Sequence, residues 1–377
     1  TDIIKEYDPE GIVGICGTQC PSVFGGYDFA KLGPAMGFVE AYDFGCAVNL
    51  WRSLRRDPSV PIMMTSFWAP DRGPMLEARL WTYVYQGAGA SGTIIWESNA
   101  LFDPKTEDVK PFKTTPQFGR VLQELRSGAP RLLQRSKEQS SPVAVHYSHA
   151  SVNADFALSC PARWRSVASW EDDKGALHPT RDAWFAMLED LGLRPVFVSS
   201  QQIEAGELTK QKFKLLVLPR SVAVSDREAR EMRKFVRGGG VLAADSFPGR
   251  MDEHCRDRKI GALDNLFGIK RLDTDNYFCT LENVNWYRDW KGKAFGGRRR
   301  FDVGHVENLL RARKGTIAMG RTEVADSPIG VVNQAGRGRT ILFNATPLDY
   351  MQVRTKGAGR MLRDFFGSCV EMAKVKP

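Results

Sequence analysis

The sequence is poor in the residues that usually announce covalent bracing or metal chemistry: of 377 residues, seven are cysteine and five are histidine. An odd number of cysteines at irregular spacing does not make the paired framework of a disulfide-stapled domain. Cys16 and Cys20 are the one close pair, and with no second pair at ligand spacing they do not make a zinc site. His146 and His149, in HYSH, fall at a strand end, where a spacing of three does not bring them to one face, so no metal is read there. No uninterrupted apolar stretch approaches the roughly 18 residues of a membrane helix, and no membrane partner is expected. No period of about 20–50 residues recurs, which excludes a solenoid. The chain opens TDIIKEYDPEG, which reads as neither a signal peptide nor a natural start, so the sequence names no compartment.

What is present is ordinary for a globular protein: 42% hydrophobic and 26% charged residues. At a loose ~150 residues per domain the length allows two or three domains. Fifty-three Lys and Arg against 44 Asp and Glu leave a net charge of +9. Such a surplus signals nucleic acid only when it is concentrated. Here it is scattered. The one dense run, Arg298-Arg299-Arg300 near Lys291 and Lys293, reads as a solvated loop, and no nucleic-acid partner is expected.

Three textures follow one another along the chain. Up to about residue 134, the short apolar runs Ile12–Ile15, Phe38–Tyr42, Pro61–Thr65 and Thr93–Trp96 read as buried strands. Between the last two, MLEARLWTYVYQGA carries Leu76, Leu80 and Val84 at helical spacing and stops at Gly87, where a helix C-cap belongs. Strand, crossover and strand in repetition is the grammar of a parallel sheet. After the polar stretch RSKEQSS (135–141), residues 141–268 alternate the strands PVAVHYS, RPVFVSS, KLLVLPR and GVLAADS with the helices TRDAWFAMLEDLG and DREAREMRKFVRGG. Thr180 and Ser225 are expected to be helix N-caps, and Gly192 and Gly238 to close the helices. This is a doubly wound α/β pattern. The run Gly238-Gly239-Gly240 comes after a helix and before a strand, the wrong order for a phosphate loop. From 269 to 377 the texture changes to the hairpin PIGVVNQAGRGRTILFNA and a closing helix, GAGRMLRDFFGSCVEMA.

Chemistry is expected in the first segment, because its strand ends combine polar and aromatic residues. Thr18 and Gln19 follow the first strand, Tyr42 and Asp43 the second, Ser66, Phe67 and Trp68 the third, and Glu97, Ser98 and Asn99 the fourth. In a βα barrel all such C-terminal ends converge on one face, where active sites are built. A tryptophan beside carboxylates and amides suits sugar, the ring stacking on the C–H face of a pyranose and the polar groups binding its hydroxyls.

The stretch PIMMTSFWAPDRGPMLEARLWTYVYQGAGASGTIIWESNALFDP (61–104) resembles the last two βα units of the glycoside hydrolase family 42 β-galactosidases. It shares a strand, a Trp-Xaa-Pro loop, a Leu-Trp helix, a Gly-Ala turn and a strand ending in tryptophan. The second segment resembles that family's trimerisation domain, of class I glutamine amidotransferase-like fold, and the third its small C-terminal β domain. The resemblance implies an α/β fold: a partial (β/α)8 TIM barrel, its last four βα units, over 1–134; a flavodoxin- or amidotransferase-like doubly wound domain over 141–268; and a small β-rich region with a closing helix over 269–377. It implies a β-galactoside or related glycan as ligand, a homo-oligomer, a trimer, as the assembly, and no cofactor or metal. No Gly-Xaa-Cys-Xaa-Gly elbow occurs in the second segment, so amidotransferase chemistry is not expected.

Two departures bear on activity. The family's nucleophilic glutamate matches Thr65 or Ser66, neither of which replaces a carboxylate. The acid/base strand lies upstream of the matched part, so the chain reads as the C-terminal part of a longer hydrolase. The alternative is a non-catalytic glycan-binding or assembly protein that has lost the nucleophile. Glycoside hydrolysis needs two carboxyl groups facing each other across the scissile bond. Glu97 is the best available, either as a catalytic group or as a sugar-binding or rim residue paired with an arginine. Trp68 is a sugar platform or a packing residue, and Trp96, within its strand, reads as core. Asp43, Asp103, Asn99 and Ser66 complete the candidate substrate-binding set.

Overall fold

The computed structural model describes residues 2–18, 21, 23, 26–42, 45–56, 58–67, 91–96, 101–103, 105, 107–108, 110–113, 115–136, 139–159, 175–272, 282–288, 294–303, 306–322, 326–347 and 350–376. Two compact units emerge, one of Thr1–Pro21 and Gly26–Gln139, the other of Ser22–Gly25 and Ser140–Pro377.

In the first unit β1 (Gly14–Thr18), β2 (Phe38–Tyr42), β3 (Ile62–Phe67) and β4 (Gly92–Trp96) form one parallel sheet in the order β1-β2-β3-β4. Each strand lies beside its predecessor in the chain, which is the sequence of a βα-barrel wall, and the unit is consistent with a partial TIM-barrel-like fold. Val39 and Ala41 on β2, with Ile62 and Met64 beside them on β3, are at most 1% exposed. The helix Ala47–Leu54 packs on these two strands with Val48, Leu50 and Trp51, and Phe29 stacks on Trp51 at 4.3 Å. The expected first strand, Ile12–Ile15, is displaced: pairing begins at Gly14 opposite Phe38, and Ile12 is 77% exposed. Gly14 leaves no room for a side chain, since a Cβ there would stand 2.6 Å from the Phe38 ring. The expected helix MLEARLWTYVYQGA lies outside the described residues.

The second unit is built on a nine-stranded sheet. Its parallel part joins β5 (Val143–Tyr147), β6 (Val196–Ser199), β7 (Leu215–Leu218) and β8 (Val241–Ala244) in the order β8-β7-β5-β6. The strands are buried on both faces, as continuous apolar runs require. Leu216, Leu218, Leu242 and Ala244 meet Ala229, Met232, Phe235 and Val236 of the helix Asp226–Arg237. Against the other face, Trp184 of the helix Leu177–Asp190 contacts Phe366 of the helix Gly357–Met372 at 3.9 Å between ring centroids.

The sheet does not stop at residue 268. A short pair, β9 (Ile269–Arg271) with β12 (Leu310–Ala312), stands apart. The strands β10 (Glu282–Arg288), β11 (Ala294–Val303), β13 (Ile317–Thr322), β14 (Pro328–Ala335) and β15 (Gly338–Phe343) extend the main sheet antiparallel to one another. β15 then lies parallel to β8, Arg339 opposite Val241 and Leu342 opposite Ala244. The residues set apart in the sequence as a C-terminal β region therefore share one sheet and one core with 141–268. This junction explains the glycines: a Cβ at Gly338 would fall 2.1 Å from the carbonyl oxygens of Val236 and Gly240. Gly239, at φ 115, makes the turn that ends the helix.

Ser225 caps Asp226–Arg237 with a full capping box, its hydroxyl accepting from Glu228 N–H and its own N–H donating to the Glu228 carboxylate. Thr180 is not a cap. That helix begins at Leu177, whose N–H donates to Asp155 Oδ2 at 2.8 Å, a tertiary cap that replaces a local one. His146, 3% exposed, is satisfied by Ser221 Oγ at 2.9 Å on Nδ1 and Glu228 Oε1 at 2.8 Å on Nε2. Burial alone would raise Glu228; the bonds from His146 and from Ser225 N–H outweigh it and hold the carboxyl below its ordinary range. Arg220, in the left-handed region at φ 43, joins two carboxylates: its Nε donates to Asp155 at 2.8 Å and its backbone N–H to Asp245 at 2.9 Å. Arg271 bridges Glu307 and Asp264 with all three buried.

Candidate functional site

Side chains alternate across a strand, so β2 presents Val39 and Ala41 to one face of its sheet and Glu40 to the other. Register places Glu40 level with Met63, Tyr42 level with Thr65, and Thr65 level with Ile94. These residues share the face turned away from the helix Ala47–Leu54. Cys16 on β1 joins them, and it and Ile94 are exposed while Tyr42 and Met63 are partly covered.

Glu40 is only 4% exposed, and both of its carboxylate oxygens are engaged across the sheet. Thr65 on β3 donates its hydroxyl to Oε1, and Cys16 on β1 donates its thiol to Oε2. Thr65 itself is 1% exposed. Removing a carboxylate from water is costly unless donors replace the lost hydration, and the two flanking strands supply one each here. The long glutamate side chain reaches from the Met63 level to that of Thr65, towards the C-terminal ends of the strands. The hydrogen bond to Glu40, then burial, then the Glu40 charge push the Cys16 thiol above its ordinary range, so it stays a protonated donor at neutral pH.

Among the residues singled out in the sequence, Asp103 is described. Its Oδ1 accepts Lys105 N–H at 2.9 Å and its N–H donates to Lys110 O at 2.8 Å, so the carboxylate shapes its own turn. Ser66 lies within β3, which runs two residues beyond the expected end at Thr65, and pairs with Ile95. Glu97, Trp68, Asn99 and Asp43 lie outside the described residues. Among the described residues no group of three or more His, Cys, Asp and Glu could hold a metal ion. Sequence reasoning passed over Glu40. The available signal was a single carboxylate at the centre of FVEAY, an otherwise apolar strand.

The chain matches no family model and no curated protein sequence. Solved structures do share its fold. It is similar to the β-galactosidase from Bacillus circulans sp. alkalophilus at a TM-score of 0.63 and 18% identity, over 100% of this chain and 55% of that one. It is similar to Gan42B, a GH42 β-galactosidase from G. stearothermophilus, at a TM-score of 0.66 and 16% identity, over 99% and 55%. An exo-β-1,4-mannosidase, Op5Man5 from Opitutaceae bacterium strain TAV5, shares the fold at 0.57 and 13% identity, over 94% and 65%. The chain thus spans about half the length of the solved β-galactosidases it resembles, and what it has in common with these glycosidases is their fold.

Proposed function

We propose that this chain belongs to a carbohydrate-active protein of the β-galactosidase kind, in which the first unit supplies the last four βα units of a TIM barrel. In that reading its full-length form hydrolyses β-glycosidic bonds, and the part present here lacks the strand that carries the acid/base. The observation that carries the reading is a fold in common with β-galactosidases across the whole chain, combined with a buried carboxylate on the inner face of the parallel sheet. Glu97 would act as a catalytic or sugar-binding carboxylate and Trp68 as a stacking platform. Asn99, Asp43, Asp103 and Ser66 would serve the sugar hydroxyls. Residues 141–268 would carry the trimerisation surface, the strands of 269–377 continuing the same sheet.

A second reading, glycan binding without hydrolysis, is favoured by one observation: the position matched to the family nucleophile is Thr65 or Ser66, and Thr65 is a buried hydroxyl bonded to Glu40. A threonine cannot form and release a glycosyl ester as a carboxylate does. One experiment, run on this chain and on its full-length parent, separates the readings. Each is titrated calorimetrically with galactose and with an aryl β-galactoside, and release of the aryl group is followed in parallel. Turnover by the parent alone supports the hydrolase, and binding without turnover in the parent supports the second reading. A parent that binds neither sugar overturns the carbohydrate reading, and turnover by this chain alone overturns the requirement for the upstream strand.

A further inference from the structure

We infer that the exposed face of the helix Asp226–Arg237 is a binding ridge for an acidic polysaccharide, a glycan chain that carries a carboxylate on its repeating sugar. This rests on the carbohydrate reading above and extends it to a second surface, on the unit that reading leaves without a ligand.

The positive charge that reads as scattered along the sequence is gathered here by the fold. Arg227, Arg230, Lys234 and Arg237 are exposed and Arg233 is partly covered, while Ala229, Met232, Phe235 and Val236 on the other side of the helix are buried. The row from Arg227 to Arg237 spans roughly 15 Å at the rise of an α-helix. Arg337, from the turn between β14 and β15, is brought to its end. The Arg337 backbone N–H donates to Arg237 O at 3.2 Å and its guanidinium to Gly238 O at 3.0 Å. The two acids of the face are already engaged, Asp226 with Arg258 at 2.9 Å and Glu231 with Lys234 at 2.6 Å. Arg227, Arg230 and Arg237 form no ion pair and no side-chain hydrogen bond with a described residue.

Such a row is not favoured by the helix itself. Like charges three and four residues apart repel, and Arg227 in the first turn opposes the helix dipole. Burial, then the charge of Arg237 and that of Arg230, push the Arg233 guanidinium below its ordinary range, with Asp226 pulling the other way. A bound polyanion offsets this repulsion along the whole row.

The composition of the face selects the class of polyanion. Every apolar residue of the helix is buried, so the face offers neither the apolar anchor of a protein interface nor the inserted side chains of a membrane-surface helix. It exposes no aromatic ring on which a nucleic-acid base could stack. What it presents is a line of guanidinium groups, planar forks that take carboxylate oxygens two at a time. A polymer with a carboxylate on each repeat meets several of them at once.

The test measures binding of the full chain to polygalacturonate over a range of salt concentrations. Arg227→Gln, Arg230→Gln and Arg237→Gln are combined in one variant, and Lys5→Gln, Lys105→Gln and Lys113→Gln in a control that loses the same charge from the first unit. The wild type and the control should bind with an affinity that falls steeply as salt rises. The ridge variant should bind at least about tenfold more weakly and with a shallower dependence on salt. Lysine at the same three positions keeps the charge and should keep the affinity within a few-fold, so a loss there as large as with glutamine overturns the assignment. A ridge variant that binds like the wild type, a control that loses as much, or a wild type that ignores polygalacturonate does the same. Tighter binding of duplex DNA than of polygalacturonate at equal salt overturns the ligand class. None of these outcomes touches galactose binding by the full-length parent, which decides the carbohydrate reading separately.

Discussion

Replacing Asp245 by asparagine should change how the stability of the second unit depends on pH. Asp245 follows β8, is 1% exposed, and accepts hydrogen bonds from Trp184 Nε1 at 2.8 Å and from the Arg220 backbone N–H at 2.9 Å. The guanidinium that acts on it, that of Arg220, is bonded to Asp155. Two carboxylates thus share one cation, and Asp245 is the one without a direct guanidinium bond. Burial pushes its carboxyl up from 3.8 to about 7, although its hydrogen bonds and the Arg220 charge pull the other way. The sign follows from linkage. A carboxyl whose pKa is raised in the folded state binds a proton there that the unfolded chain has released, so folding is favoured at low pH. That advantage is lost as pH rises through the folded value. At about 1.4 kcal/mol per pH unit, a rise of roughly three units means a loss on the order of 4 kcal/mol between about pH 4 and pH 8. Asparagine mimics the protonated acid in shape and cannot ionise. The variant should therefore gain on the wild type steadily with pH and lead by a few kcal/mol near pH 8. Urea denaturation of the full chain across that range, followed by tryptophan fluorescence, measures the difference. A gap between variant and wild type that does not widen with pH refutes the argument, and one that narrows refutes its sign.

Glu307→Gln should destabilise the chain by about 3 kcal/mol in the same assay, because Arg271 stays buried with one of its two carboxylates gone. Burial opposes the charge on Arg271, and Glu307 and Asp264 hold it on, so Glu307→Leu combined with Arg271→Met and Asp264→Asn, which removes all three charges and keeps an acceptor for Gly261 N–H, should recover part of the loss. An unchanged urea midpoint in the single variant would remove the energetic role assigned to this network. If residues 141–268 act as a trimerisation domain, light scattering on the full-length parent should return three times the chain mass. A monomer at micromolar concentration contradicts that proposal.

Much of the architecture was legible locally. The runs that became β7 and β8 are apolar throughout, and those of β2 and β5 are apolar but for Glu40 and His146, the pattern of strands with both faces covered. Ser225 and Glu228 stand at capping-box spacing, so that helix start could be read from four consecutive positions. The hairpin of β14 and β15 was visible from its alternation about the turn before Gly338.

What stayed hidden depends on residues far apart in the chain. The helix thought to start at Thr180 starts at Leu177, because its first N–H is satisfied by Asp155, 22 residues earlier. The hairpin read as the heart of a separate region is an extension of the α/β sheet, because Arg339 lies opposite Val241 across a parallel ladder no local pattern encodes. Glu40 shows the division most plainly. Alternation within five residues determined that it would face away from Val39 and Ala41. Only the register of three strands decided that the carboxylate would meet Cys16, 24 residues before it, and Thr65, 25 residues after it. A carboxylate's role is set by the donors around it, and backbone pairing brings those donors together.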